Sequence, residues 1–448
     1  MFASGVVSFS IFRVCVCVFA IESIRLSLYN CLSHVVIIIR ASPSWGDDAL
    51  DRADKHKYIL ASGGADGIVK LWSAAKVDER WTCLHTLNHA ALDNNTPKQE
   101  GEEESEPPQV YALQFINHWK GIADGEFQSN NFLMTSSDDF VHLWEILDDL
   151  NEDGSMKNDS ITLVEVMSIR FTCLDDIGYG VSVTNVTRSG LDVDKKENED
   201  SKIVEISDGH DHGGGFGGER NPHNIVYVFD AQYCPANGLL GVALSDGSLR
   251  LVNGRGVCVR PVTLPGNKSH LTSFGWDATG KRLATCVATG HLILWEIDMS
   301  MDGQDWIPSC KAVLEGGHVP GRPLYGAAYC GGDDSQDLVI SWGVDGRLCL
   351  WDSHSDSNIH APLSTLVAKS DYPIYAVDID THHSTGNGDS KRIARIGCGG
   401  GGGGDGVGFL GVPVYLFDVT RGHESSMKKR SADVDYTQEE KEPQKDAE

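Results

Sequence analysis

Residues 58–73 read Tyr-Ile-Leu-Ala-Ser-Gly-Gly-Ala-Asp-Gly-Ile-Val-Lys-Leu-Trp-Ser, and this phrase restricts the possible folds more than any other part of the chain. A short apolar run, Tyr58 to Ala61, meets a small-residue turn, Ser62 to Gly67, and a second run, Ile68 to Trp72, follows. Two β-prone runs parted by a Gly/Asp turn predict a hairpin. The phrase recurs. Asp66 precedes Trp72 by six residues, and Asp138 with Trp144 and Asp345 with Trp351 keep the same step. Asp246 keeps it with Val252 in place of Trp, while Trp295 keeps it with Thr289 in place of Asp. One hairpin written five times predicts a repeat architecture, in which no copy buries its apolar faces alone.

The five phrases, SGGADGIVKLW, TSSDDFVHLWE, ALSDGSLRLVN, CVATGHLILWE and SWGVDGRLCLWD, resemble the WD-repeat β-propellers. Trp351-Asp352 is the literal Trp-Asp pair; Trp144 and Trp295 are followed by Glu and Trp72 by Ser. The resemblance covers residues 58–420 and implies an all-β propeller. Seven blades, the family's commonest size, are expected: six are clear in the sequence, and the seventh is a divergent blade at 168–206 or is completed by the N-terminal segment. In that family a His before the innermost strand links to a strand Ser/Thr, the turn Asp and the Trp. The resemblance puts His318, Ser341, Asp345 and Trp351 in these roles, and His270, Thr285 and Trp295 in the preceding repeat, which lacks the Asp. With Asp66, Trp72, Asp138, Trp144 and Asp246, these residues are expected to be structural: the turn Asp accepts hydrogen bonds and the indole packs between sheets.

The expected organisation is an apolar leader (1–34), one propeller (35–420) and a charged flexible tail (421–448). Insertions are expected near 88–108, 148–160, 187–223 and 397–411. The first of these carries Glu100, Glu102, Glu103, Glu104 and Glu106, too polar and too like-charged to pack. In the first forty residues, Val14–Ile21 and Val35–Ile39 are apolar, but both fall short of the ~18 residues of a spanning helix. The leader reads as a closing strand, a poorly ordered segment, or a signal or anchor. In that last case Asn94, Asn158, Asn185 and Asn267 become glycosylation acceptors.

Lys and Arg number 37 against 64 Asp and Glu, a net charge of −27. This balance speaks against direct contact with nucleic acid or anionic membrane, both of which need a basic face, and favours partners with basic segments. Twelve cysteines without a Cys-x-x-Cys pair, several inside predicted strands, fit a reducing compartment, cytoplasmic or nuclear.

Sites for chemistry are not evident. The glycine run Gly397–Gly408 contains a G-x-G-x-x-G spacing, but a strand rather than a helix follows, so it predicts a loop and no phosphate cradle. His210, His212 and His223, with Asp208 or Asp211, sit in a glycine-rich stretch without the ordered Cys/His spacing of structural zinc. No His-Glu-x-x-His, Walker loop or Gly-x-Ser-x-Gly elbow occurs. No catalytic residue, cofactor or metal is therefore nominated. The innermost strands instead share an aromatic place: Tyr111, Tyr325 and Tyr375, with Phe229 and then Thr272 at equivalent positions. Trp119 and Trp306 fall in predicted loops as further candidate anchors. The function expected is a non-catalytic scaffold or adaptor for other proteins. A ubiquitin-ligase substrate receptor is the narrower alternative, weakened because His354 stands where such receptors resemble Trp-Asp-x-Arg. An enzyme or ligand-binding propeller using the central channel is the other.

Overall fold

Short runs rich in Val, Ile, Leu and aromatics, broken every few residues by Gly and Asp, fold into antiparallel strands joined by tight turns. The structure, a computed structural model, describes residues 36–41, 58–64, 66–74, 81–89, 108–120, 131–150, 156–173, 181–185, 226–255, 258–263, 269–299, 306–330, 338–353, 361–367, 373–380, 391–400 and 414–421. The leader 1–34, the glutamate run 100–106, residues 187–223 with their histidines, residues 401–411 and residues 422–448 lie outside them.

The described strands fall into six sheets. The first is β1 (Val36–Ala41), β2 (Tyr58–Gly64), β3 (Ile68–Ala74) and β4 (Thr82–Asn88). The second is β5 (Leu113–Asn117), β6 (Asn131–Ser137), β7 (Phe140–Leu150), β8 (Met156–Phe171) and β9 (Val181–Asn185). The third comprises β10 (Val228–Cys234), β11 (Leu239–Leu244), β12 (Ser248–Val252) and β13 (Cys258–Thr263), and the fourth β14 (Leu271–Trp276), β15 (Arg282–Val287), β16 (Leu292–Met299) and β17 (Trp306–Leu314). The fifth holds β18 (Leu324–Tyr329), β19 (Leu338–Gly343), β20 (Arg347–Asp352) and β21 (Ser364–Val367); the sixth holds β22 (Ile374–Asp380), β23 (Lys391–Gly400) and β24 (Val414–Arg421). Order within every sheet is sequential, the meander of a propeller blade.

Three segments differ from expectation. Residues 148–150 and 156–160, expected in an inserted loop, prolong β7 and β8 into a long hairpin. Tyr179–Val186, expected in a divergent blade or an insertion, instead supplies β9, a fifth strand added to β8. Gly397–Gly400, expected in the glycine loop, belongs to β23, because its backbone pairs with both β22 and β24.

The hairpin register repeats, and this is what puts the tryptophans in matching surroundings. Trp72, Trp144, Trp295 and Trp351 lie opposite Leu60, Leu133, Leu283 and Val339, and Val252 lies opposite Leu240. Left-handed backbone at the turn falls on Gly67, Gly247, Gly290 and Gly346, where a side chain would be strained. The second sheet has Asp139 at that place, and there Asp138 itself takes a φ of 46°.

Hydrophobic residues of each sheet are buried against the next. Among the described residues five clusters form, and each straddles two consecutive sheets: first with second, second with third, third with fourth, fourth with fifth, and fifth with sixth. Strands β11 and β12 are buried at every position, as expected for strands covered on both faces. At ~25 cal/mol per Å² of apolar surface removed from water, these seams dominate the stabilisation. Among the described residues no helix is long and apolar enough to cross a membrane.

The seams are close enough to test. A Cβ built on Gly275 of β14 would lie 2.3 Å from the Ala327 carbonyl oxygen of β18, which is backbone and cannot swing away. Gly275→Ala is expected to destabilise the fold by about 1–3 kcal/mol, the usual cost of overpacking. Urea denaturation reads this directly, and a variant within about 0.5 kcal/mol of the parent, the range of neutral surface changes, would show that the fourth and fifth sheets do not meet this closely.

Candidate functional site

The turn and tryptophan residues build the frame that holds the inner strands. Indole Nε1–H donates to a strand hydroxyl at each Trp: Ser62 at 2.9 Å from Trp72, Thr135 at 2.9 Å from Trp144, Thr285 at 3.0 Å from Trp295 and Ser341 at 2.8 Å from Trp351. The fifth sheet completes the linkage as the sequence predicts. His318 is 2.7 Å from Ser341 Oγ through Nε2 and 3.1 Å from Asp345 Oδ2 through Nδ1. Burial by itself would raise the Asp345 carboxyl, but hydrogen bonds from His318 and from the N–H groups of Val319 and Arg347, with the His318 charge, hold it below its ordinary value.

Elsewhere the linkage is built differently. His270 does not reach Thr285; its Nδ1 contacts the Ser245 carbonyl of the neighbouring sheet, since Thr289 in the Asp place offers no carboxylate and pairs with His291 at 2.9 Å. In the third sheet, with Val252 in the Trp place, the fully buried Arg250 is substituted as the tie. It donates to Asp246 Oδ2 at 2.7 Å, Ser248 Oγ at 2.9 Å and the Thr172 carbonyl at 3.3 Å. Asp66 and Asp246 accept the N–H groups of Ile68 and Ser248, whereas Asp138 accepts that of Gln109 at 3.2 Å.

The aromatic place of the inner strands has a backbone cause that sequence reasoning missed. Pairing of β1 with β2, β10 with β11, β14 with β15, β18 with β19 and β22 with β23 each skips one inner-strand residue at the same register. The skipped residues are Ile37, Phe229, Thr272, Tyr325 and Tyr375. In the second sheet Ser136 Oγ accepts the N–H groups of both Tyr111 and Ala112, at 3.2 and 2.8 Å, which puts Tyr111 in that place. A bulge re-aims a side chain away from the regular pleat. The rings then meet across sheets: Tyr111 and Phe229 edge to face at 5.9 Å, Phe229 and His270 at 6.0 Å, and Tyr325 stacked on Tyr375 at 5.2 Å. Tyr375 is 58 % exposed and Tyr325 36 %, while Tyr111 and Phe229 are half-buried. Tyr227, which the sequence did not nominate, is 45 % exposed beside them.

Thr272 closes its position with a 2.5 Å hydrogen bond to the Leu324 carbonyl of the next sheet. The two loop tryptophans prove not to be anchors. Trp119 is buried between the second and third sheets, stacked on Tyr233 at 4.5 Å, with its Nε1–H donated to the Gly254 carbonyl at 2.7 Å. Trp306 opens β17 and packs against the core between the third and fourth sheets.

Two Ser-His-carboxylate trios have the outline of a hydrolytic triad: Ser341, His318 and Asp345, and Ser137, His142 and Glu165. In the second, His142 stands 3.1 Å from Ser137 Oγ and 2.7 Å from Glu165 Oε1. Both serines are buried, which closes them to a substrate carbonyl; the second trio ties β6, β7 and β8 of one sheet, and the first ties the segment before β18 to β19 and its turn. A cleft of ≈470 Å³ borders Gly290, His291, Glu315 and His318, but both imidazoles are engaged, His291 with Thr289 and Glu315 and His318 with Asp345 and Ser341. Among the described residues no group of three or more His, Cys, Asp or Glu could hold a metal ion.

Stacked meander sheets carrying a repeated Asp turn and a Trp-to-hydroxyl bond define a repeat-built propeller. Residues 49–73 match the family model for the WD domain, G-beta repeat. That match has the length of a single repeat, so the chain carries a WD repeat at residues 49–73 within an all-β fold of stacked meander sheets. Among solved structures the chain is similar to Raptor of Chaetomium thermophilum, at 14 % identity and a TM-score of 0.43 over 81 % of this chain. It spans 22 % of that Raptor chain. It is also similar to Sqt1 of Saccharomyces cerevisiae, at 12 % identity and a TM-score of 0.41, over 81 % of each chain. No curated protein matches the sequence.

Replacing Ser341 with Ala strands the Trp351 Nε1–H and the His318 Nε2 in a buried seam, and is expected to cost about 2–4 kcal/mol by chemical denaturation. A cost below about 1 kcal/mol would mean that the linkage is incidental. Asp345, held below its ordinary value, contributes stability that is complete above the reference carboxyl value of 3.8 and is lost as pH falls through its lowered folded value. Asp345→Asn should therefore lower stability at neutral pH and flatten the acid limb below pH ~4 in melts taken across pH.

Proposed function

We propose that this propeller is a non-catalytic platform that presents Tyr111, Phe229, Tyr325 and Tyr375 to protein partners bearing Lys- or Arg-containing segments. The observation that carries the reading is the repeated bulge, which brings a residue of each inner strand to one place and fills four of the six with an aromatic ring. A regular strand would bury alternate rings in the seams; the bulge leaves Tyr325 and Tyr375 exposed at the cost of a ladder hydrogen bond. Tyrosine is suited to recognition, because it offers a large amphipathic area with little rotamer entropy to lose. A rigid sheet frame presets the ring geometry and lowers the ordering cost of association.

The basic character of the partner follows from charge. A chain of net charge −27 steers cations, and the exposed faces of Tyr325 and Tyr375 attract an ammonium or guanidinium group through the ring quadrupole. Affinity purification with mass spectrometry tests the reading. Tyr111→Ala, Tyr325→Ala and Tyr375→Ala together are expected to remove a stable set of partners that the parent retains, while the melting transition stays within a few degrees. An unchanged partner set would move the interface elsewhere on the molecule.

A further inference from the structure

His89 follows β4 and enters the seam between the first and second sheets, where it is 1 % exposed. Its backbone N–H donates to the Gly67 carbonyl at 3.0 Å, but neither ring nitrogen has a hydrogen-bond partner among the described residues. Buried polar groups are nearly always satisfied, so an orphaned imidazole needs an explanation.

The fifth sheet supplies one by contrast. His318 and His89 occupy matching places: each lies between the outer strand of one sheet and the inner strand of the next, beside a strand tryptophan. The ring centroids are 6.5 Å apart for His318 and Trp351 and 6.2 Å for His89 and Trp144. His318 has a carboxylate and a hydroxyl. For His89 the corresponding groups are Asp138 and Thr135. The Thr135 hydroxyl accepts Trp144 Nε1–H, and no bond joins it to His89. Asp138, forced into the left-handed region because Asp139 replaces the turn glycine, turns to the Gln109 N–H instead. The other titratable groups around the seam are also committed. His142 on β7, whose ring centroid is 5.0 Å from that of His89, binds Ser137 and Glu165. Glu165 on β8 reaches His142 rather than His89, Asp139 pairs with Arg170, and Asp66 holds the Ile68 N–H.

We propose that His89 is an acid-sensitive wedge in the seam between the first and second sheets: the closed seam has no acceptor for an imidazolium, so taking up a proton requires the seam to part. Burial, and after it the charge of His142, push the His89 imidazole from 6.5 down to about 3, in agreement with that geometry. The folded value lies below the open-state value, so the closed seam is fully favoured above pH ~6.5 and progressively disfavoured as pH falls from there towards ~3. At pH 5 the open form alone binds the proton, and the opening equilibrium should rise about 30-fold relative to pH 7.5.

Hydrogen exchange followed by mass spectrometry on the full chain, corrected for the intrinsic pH dependence of exchange, reads that equilibrium segment by segment. Peptides within 58–74, 82–89 and 131–146 are expected to lose protection about 30-fold between pH 7.5 and 5, while peptides within 282–297 and 339–351 do not. His89→Phe, which keeps a flat ring without a titrating nitrogen, should abolish the difference. Equal acid sensitivity in the variant, or a loss spread evenly over all sheets, would overturn the proposal. Should the variant not fold, ¹³C-labelled histidine NMR of the parent decides it: the His89 ring stays neutral down to pH 5 in the folded protein if the proposal holds, and titrates near pH 6.5 if it does not.

Discussion

Apolar contact between consecutive sheets is the constraint on which the rest of this structure depends. Each core cluster draws side chains from two sheets, as with Leu71, Val110 and Trp144 in one seam and Leu292, Ala327 and Trp351 in another. A single four-stranded meander would expose one or both of its faces to water, and only stacking removes that surface. Strand order, turn type and the Trp-to-hydroxyl bonds all serve that stacking. Close approach of backbones, as at Gly275 against Ala327, and cross-sheet bonds such as Gln114 with Tyr233 fix how far neighbouring sheets are turned and slid.

Polar groups trapped in the seams must be satisfied there, and the sheets solve this in different ways. The fifth links Trp351, Ser341, His318 and Asp345; the third, without a tryptophan, buries Arg250 against Asp246 and the second sheet's Thr172 carbonyl. A buried guanidinium is tolerable only with several acceptors in place, and Arg250 has them. The seam at His89 lacks such a set. A repeat fold is thus uniform in its backbone and uneven in its electrostatics, and local differences in stability arise from that unevenness.

The proposed recognition surface lies where the regular ladder is interrupted. Bulges at one register of the inner strands turn a recurrent core position into a recurrent surface position, and aromatic residues occupy most of those places. The frame that aims them is buried and rigid, while the rings of Tyr325 and Tyr375 remain open to solvent. Rigid presentation on a packed frame is the physical basis of the recognition proposed for these rings.

The amino-acid sequence by itself determined the hairpins, their repetition and the equivalence of Trp72, Trp144, Trp295 and Trp351. These depend on residues within one turn of one another, and turn chemistry is local. It also marked Tyr111, Phe229, Tyr325 and Tyr375 as equivalent, each following an apolar residue near the start of an innermost strand. Tertiary structure alone decided that His142 and not His89 finds a carboxylate, why Trp119 is buried, that β9 joins the second sheet, and that Arg250 replaces an indole. Those outcomes rest on partners far apart in the chain, Trp119 with Gly254 and Arg250 with Thr172 among them. No local pattern encodes such a pairing, because it exists only once two independently formed sheets have stacked.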